Sequence, residues 1–160
     1  MRDLPDPSPD TPTLGELRAS FDRLEPTSKP RWGRMDAPQM LLHCRTFVDL
    51  CLGRVKVGLP VRLLAGLLGP MFLRRLVVKS PTQAPKDLTT LKPLRTSESD
   101  VDLDEARAEL AARFDELDAL PNEHRHPLYG RMRKQDVIAV VRHHTAHHAN
   151  QFGLLPAEEC

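Results

Sequence analysis

Arg142–Gly153 reads RHHTAHHANQFG and carries four of the chain's seven histidines, His143, His144, His147 and His148. It lies in an apolar-periodic segment, Val137 to Leu154, with no internal proline and with Gly153 near its end. Those are the marks of a helix and its C-terminal stop. A helix turns about 100° per residue, so side chains four apart lie nearly one above the other. His144 and His148 therefore share a stripe that Val137, Val141 and Gln151 continue, while His143 and His147 turn away from its centre. Two imidazoles so spaced can grip one divalent ion from one side. They cannot close its shell, so a further ligand must come from another helix.

Working outward, three more helices are legible. Thr13 and Glu16 form a capping box ahead of Leu14, Leu17, Phe21 and Leu24, which predicts helix one over 13–25. Asp36 and Gln39 form a second box. Helix two then runs over 37–52, with Met40, Cys44, Phe47 and Cys51 as its apolar stripe. Asp102 and Glu105 open helix three over 102–120, whose stripe is Leu103, Ala106, Leu110, Phe114 and Leu117. Helix four covers 134–152. No strand pattern and no repeat is visible, so the expected class is all-α. The expected architecture is a four-helix bundle with a long crossover between helices two and three, which lets those two run parallel.

That crossover, residues 54–99, holds five prolines. Two short helices are expected in it, Val61–Leu68 and Met71–Val78, each preceded by proline. Its apolar content predicts that it covers the bundle end or joins two subunits. Residues 1–12, polar and with four prolines, are expected to be a flexible and dispensable N-terminal tail. Residues 13–155 form one helical domain and 156–160 a C-terminal tail.

Lys and Arg total 23 against 22 Asp and Glu, for a formal net charge of +1. Global charge therefore gives no case for nucleic acid or membrane as a partner. The distribution is uneven. Arg54 to Arg95 holds nine basic residues and one acidic, Asp87, whereas Glu98 to Glu123 holds ten acidic and two basic, Arg107 and Arg113. The plainer reading is two solvated faces that attract each other within the fold or across a dimer; the sharper one is a basic mouth for an anionic substrate. Cys44, Cys51 and Cys160 form no disulfide pattern. The first two read as core residues and the last as an exposed thiol. With no signal peptide pattern and no good membrane span, a cytoplasmic location is expected.

A fifth histidine, His43, sits in helix two beside the Met40–Phe47 stripe. His43, His144 and His148 are thus the candidate metal ligands: three neutral imidazoles that leave positions for water or substrate. Gln151, on the ligand stripe, is a candidate to orient substrate. His147, off centre, is a candidate proton carrier or a packing contact. His126 and Tyr129 lie in the loop 122–133, where they form a turn or cap the site.

His43 with H-x-x-H-H-x-x-Q in the last helix resembles the DinB-like superfamily of four-helix bundles. The match is closest to a branch with W-G-x-M…Q-M-x-x-H, here Trp32, Gly33, Met35, Gln39, Met40 and His43. It continues with H-P-x-x-G at His126, Pro127 and Gly130, and ends on H-x-x-H-H-x-x-Q-F-G running to Gly153. The resemblance implies a divalent transition metal, zinc or nickel, held by His43, His144 and His148. It also implies a low-molecular-weight thiol co-substrate such as bacillithiol or mycothiol, in a transferase or isomerase acting on a small molecule, although other members of the superfamily have no known activity. The chain departs from that pattern in having Arg142–His143 and Thr145–Ala146 where basic and acidic residues are common. Two other classes share these sequence features: a metal-binding protein without chemistry, and a structural or partner-binding bundle whose histidines are ordinary core groups.

Overall fold

The computed structural model describes residues 3–86, 94 and 101–156. It is mostly helical: α1 Leu14–Phe21, α2 Ala37–Cys51, α3 Leu59–Val77, α4 Leu103–Asp118 and α5 Lys134–Gln151, with a 3-10 turn at Pro81–Gln83. The expectation of a purely α class is corrected by a two-stranded antiparallel sheet, β1 Glu123–His126 and β2 Gly130–Arg133.

Each sequence cap is realised. Thr13, Asp36 and Asp102 accept hydrogen bonds from the backbone N–H groups of Glu16, Gln39 and Glu105, and the first two boxes are reciprocal. Each satisfies donors that a helix start otherwise leaves bare. Helix one stops at Phe21 rather than reaching residue 25. Arg23 and Leu24 continue the turn through bonds to Ser20 and Phe21 three residues back, which still bury Leu24.

Helices α1, α2, α4 and α5 share one core, built from Leu17, Met40, Val48, Leu110, Phe114 and Val141 among others. Their directions follow from ion pairs and hydrogen bonds. Arg45 pairs with Glu109, Asp49 with Arg113 and Arg54 with Glu116, so α2 and α4 run parallel. Of these, Arg54–Glu116 joins one basic residue of the crossover to an acidic one of α4 within the fold. Arg18 bonds Asp115 and the Ala111 carbonyl while Arg107 bonds the Phe21 carbonyl, so α1 runs against α4. Helix α5 returns antiparallel to α2: Phe47 stacks on His144, and His43 lies against His148.

Three further expectations are corrected. The two short helices of the crossover are one helix, α3, with Pro70 inside it. Proline deprives the carbonyl four residues earlier of its partner; that residue is Gly66, which has no side chain to crowd the ring. The loop 122–133 is the hairpin β1–β2. Its turn is set by Gly130 at φ 74° and by the Leu128 N–H donating to His126 Nδ1 at 3.1 Å. Its strands, EHRH and GRMR, lack the β-branched alternation that announces one.

The third correction concerns the N-terminal segment. Residues 3–12 are packed rather than a free tail: Ser8 N–H donates to Val77 at 2.8 Å, Thr11 is buried, and Arg142 donates to the carbonyls of Thr11 and Pro12. Of the proposed C-terminal tail, 157–160, including Cys160, lie outside the described residues. Cys44 and Cys51 are buried free thiols, and burial pushes both well up from their ordinary range.

Candidate metal centre

The antiparallel contact of α2 and α5 brings together the three histidines that spacing singled out. The ring centroids of His43 lie 5.1 Å from those of His144 and 4.7 Å from those of His148, and His144 and His148 are 4.8 Å apart. One nitrogen from each lies within 4.8 Å of the others. A tetrahedral ion with bonds of about 2.0–2.1 Å holds its ligands about 3.4 Å apart, so the three nitrogens need to draw closer to share one ion, and a fourth position stays open.

Two of the three rings have their tautomer fixed. His43 Nδ1–H donates to the Leu94 carbonyl at 2.8 Å. Gln151 Nε2 donates to the Trp32 carbonyl at 2.7 Å, which turns Gln151 Oε1 toward His148 Nδ1–H at 2.8 Å. In both rings the proton on Nδ1 leaves the Nε2 lone pair for a ligand. His144 is held differently. Phe47 stacks on it with centroids 3.7 Å apart and planes 9° off parallel, and its Nδ1 is buried with no hydrogen-bond partner. A buried imidazole nitrogen that no protein group satisfies fits a metal-binding role.

The Gln151 contact depends on a glycine. Gly33 has φ 82°, and a Cβ there would come 2.6 Å from Gln151 Nε2. The loop is fixed to α5 a second time, by Arg31 N–H donating to the Gln151 carbonyl at 2.7 Å.

All three rings are held neutral. Burial lowers His43 below its usual range, with the Leu94 carbonyl opposing the shift. Burial, reinforced by His148 and His43, holds His144 well below that range. Burial and then His43 take His148 down to about 3. Neutral imidazole is the ligating form, so the fold pre-arranges the chemistry a metal needs.

His147, the candidate proton carrier, lies next to the triad rather than in it. Its ring is 5.2 Å from His148 and 5.7 Å from Trp32. It bonds the Pro81 backbone, and its Nδ1 is buried without a partner. His143 is only 2% exposed, and its Nε2 is buried without a hydrogen-bond partner. Both rings lie where α5 packs against the segment after α3. Of the hairpin pair, Tyr129 lines the site and His126 stacks behind it at 4.7 Å. Sequence reading missed the carbonyls of Leu94 and Trp32, which carry no side-chain signal, and the stacking role of Phe47, which lies one turn after His43.

The three histidines open onto a cavity of about 770 Å³. Trp32, Phe47, Phe72, Leu73, Leu76 and Val140 supply much of its wall, and Arg34 and Gln151 are among its polar groups. Such a volume suits a small organic molecule.

The chain matches neither any curated protein nor any solved structure. One family model does match, over residues 8–153, so it includes the packed N-terminal segment from Ser8 on, the hairpin and all three clustered histidines. On that match the chain belongs to the family described as "Protein of unknown function (DUF1569)".

Proposed function

We propose that this protein is a metal-dependent enzyme of the DinB-like four-helix-bundle kind. His43, His144 and His148 hold a divalent transition ion, zinc or nickel. The adjoining cavity takes a small-molecule substrate with a low-molecular-weight thiol, in a transferase reaction. The observation that carries this reading is the junction of three neutral, converging imidazoles with a cavity of about 770 Å³. A site that only stores or buries a metal has no use for a chamber of that size. The unpartnered Nδ1 of His144 and the Nδ1–H bonds of His43 and His148 supply the fit to a metal.

A divalent ion bound there stabilises thiolate over thiol, and thiolate is the nucleophilic form. The chain's own residues do the rest. Gln151 holds His148 at its Nδ1–H and fixes the Trp32 loop that borders the cavity. Phe47 keeps the His144 ring from turning away. Phe72, Leu73 and Leu76 give the cavity an apolar wall beside the reacting groups. His147 keeps a buried Nδ1 without a hydrogen-bond partner beside the triad, where it can accept a proton.

A second copy of the chain is the proposed macromolecular partner. Leu63, Leu64, Leu67 and Met71 of α3 are exposed, Leu67 by 78%. Leu73 and Val77 of the same helix are buried. No helix among the described residues is long and apolar enough to cross a membrane. The free thiols Cys44 and Cys51 suit a reducing compartment, and we assign the protein to the cytoplasm.

Elemental analysis of untagged protein, beside a variant with His43, His144 and His148 all changed to alanine, tests the metal. About one equivalent of metal in the wild type and none in the variant is expected. Equal metal in both would overturn the reading and leave an interaction scaffold. The transferase step is tested by loss of thiol titre when the metal-loaded protein meets a panel of electrophiles.

A further inference from the structure

The cavity's polar groups are arranged by sign. Among its described lining residues there is no carboxylate, and one guanidinium, that of Arg34, stands at its edge. Arg34 has neither a hydrogen bond nor an ion pair among the described residues, although it is exposed and acidic side chains are abundant elsewhere. Lys86 is a second cation without a carboxylate partner among the described residues. Its ammonium sits 4.7 Å over the ring of Trp32, and Trp32 is itself a lining residue.

Both cations are held by the same loop. Gln151 grips the Trp32 carbonyl, and the Arg31 N–H grips the Gln151 carbonyl, so 31–34 are fixed to the helix that carries the triad. A charge placed beside an apolar wall is screened less than one in open water. The wall itself, with Phe47, Phe72, Leu73, Leu76 and Val140, offers little to a polar body.

We propose that the molecule this cavity takes has an apolar body and an anionic group, with Arg34 and Lys86 receiving the anion at the rim and the apolar wall receiving the body. This rests on the reading of the cavity as the substrate site. It specifies the substrate class: an amphipathic carboxylate or phosphate whose reactive end lies toward the histidines.

Trp32 is the chain's only tryptophan, so its fluorescence reports on this rim. Octanoate, octanol and octylammonium are titrated against the full-length protein, both zinc-loaded and after chelation. Octanoate is expected to bind about five- to tenfold more tightly than octanol, and octylammonium more weakly than either, in both forms of the protein. Arg34→Gln with Lys86→Gln is expected to reduce the octanoate advantage to less than about twofold while leaving octanol unchanged. Both residues are exposed, so the melting temperature of the double variant should match the wild type. The proposal is overturned by equal binding of octanoate and octanol, by an advantage that survives the double variant, or by no binding of any probe. It is also overturned by an advantage seen only with zinc, since the anion then sits on the metal. Failure of the metal reading looks different: zinc does not bind, yet the octanoate advantage and its loss in the double variant remain.

Discussion

His148 and Gln151 are joined on one helix by a 2.8 Å contact between Nδ1 and Oε1, and the far end of the same amide grips the Trp32 carbonyl. One side chain thus fixes the ring of a candidate ligand and the loop that borders the cavity. Gln151→Ala removes no ligand atom but frees both. Zinc affinity in that variant is expected to fall about 10- to 100-fold, as for other outer partners of metal-binding histidines. Competition with a chromogenic chelator measures it, and unchanged affinity would mean that the contact has no bearing on a metal.

His43→Ala, His144→Ala and His148→Ala should each weaken zinc and nickel binding far more than Gln151→Ala does, because each deletes a ligand. His143→Ala tests selectivity within the same histidine tract. It should leave metal affinity nearly unchanged while lowering stability by about 1–3 kcal/mol, since it empties a buried site. Isothermal titration and urea denaturation separate the two effects. A His143→Ala variant that loses metal as fully as His144→Ala would place His143 in the shell.

Acid should destabilise the metal-free protein. Burial takes His148 down to about 3, and His126 and His143 down to about 4, from an ordinary value of 6.5. The unfolded chain therefore takes up protons near pH 6.5 that the folded chain refuses until much lower. Stability is full above that point and falls as the pH drops from 6.5 toward 4, at up to about 1.4 kcal/mol per pH unit for each such ring. Protons also compete for the lone pairs of the triad, so metal should leave over the same range. A urea midpoint that stays constant from about pH 7 to 4 would contradict the burial of these rings.

Deleting residues 1–12 should lower the melting temperature by about 3–10 °C, because the bonds to Val77 and Arg142 go with them. Differential scanning calorimetry measures the shift. An unchanged melting temperature would restore the view of this segment as a free tail.

The α3 face offers a direct test of self-association. Sedimentation equilibrium should show a dimer for the wild type and a monomer for Leu64→Glu with Leu67→Glu, at residues that are 61% and 78% exposed. The melting temperature of the monomer should differ little at high dilution. A wild type that is monomeric at every concentration would remove the dimer from the proposal.

Sequence alone determined what depends on local periodicity. The caps at Thr13, Asp36 and Asp102, the apolar stripes behind them, and the shared stripe of His144 and His148 are properties of short segments and a fixed turn of about 100° per residue. Even His43 was legible, because its place beside the Met40–Phe47 stripe faces it toward the core.

Tertiary structure decided what depends on distant backbone. The Leu94 carbonyl lies 51 residues from His43 and the Trp32 carbonyl 119 from Gln151, and a main-chain oxygen looks the same at every position of a sequence. The hairpin 123–133 arises from a turn and from the burial of His126 and Met132, not from β-forming residues. The N-terminal segment reads as loose because proline and polar side chains say nothing of the helix that will bond its carbonyls. The continuity of α3 through Pro70 and the cavity beside the triad have the same origin. Both are set by how separate elements pack, which no window of local sequence records.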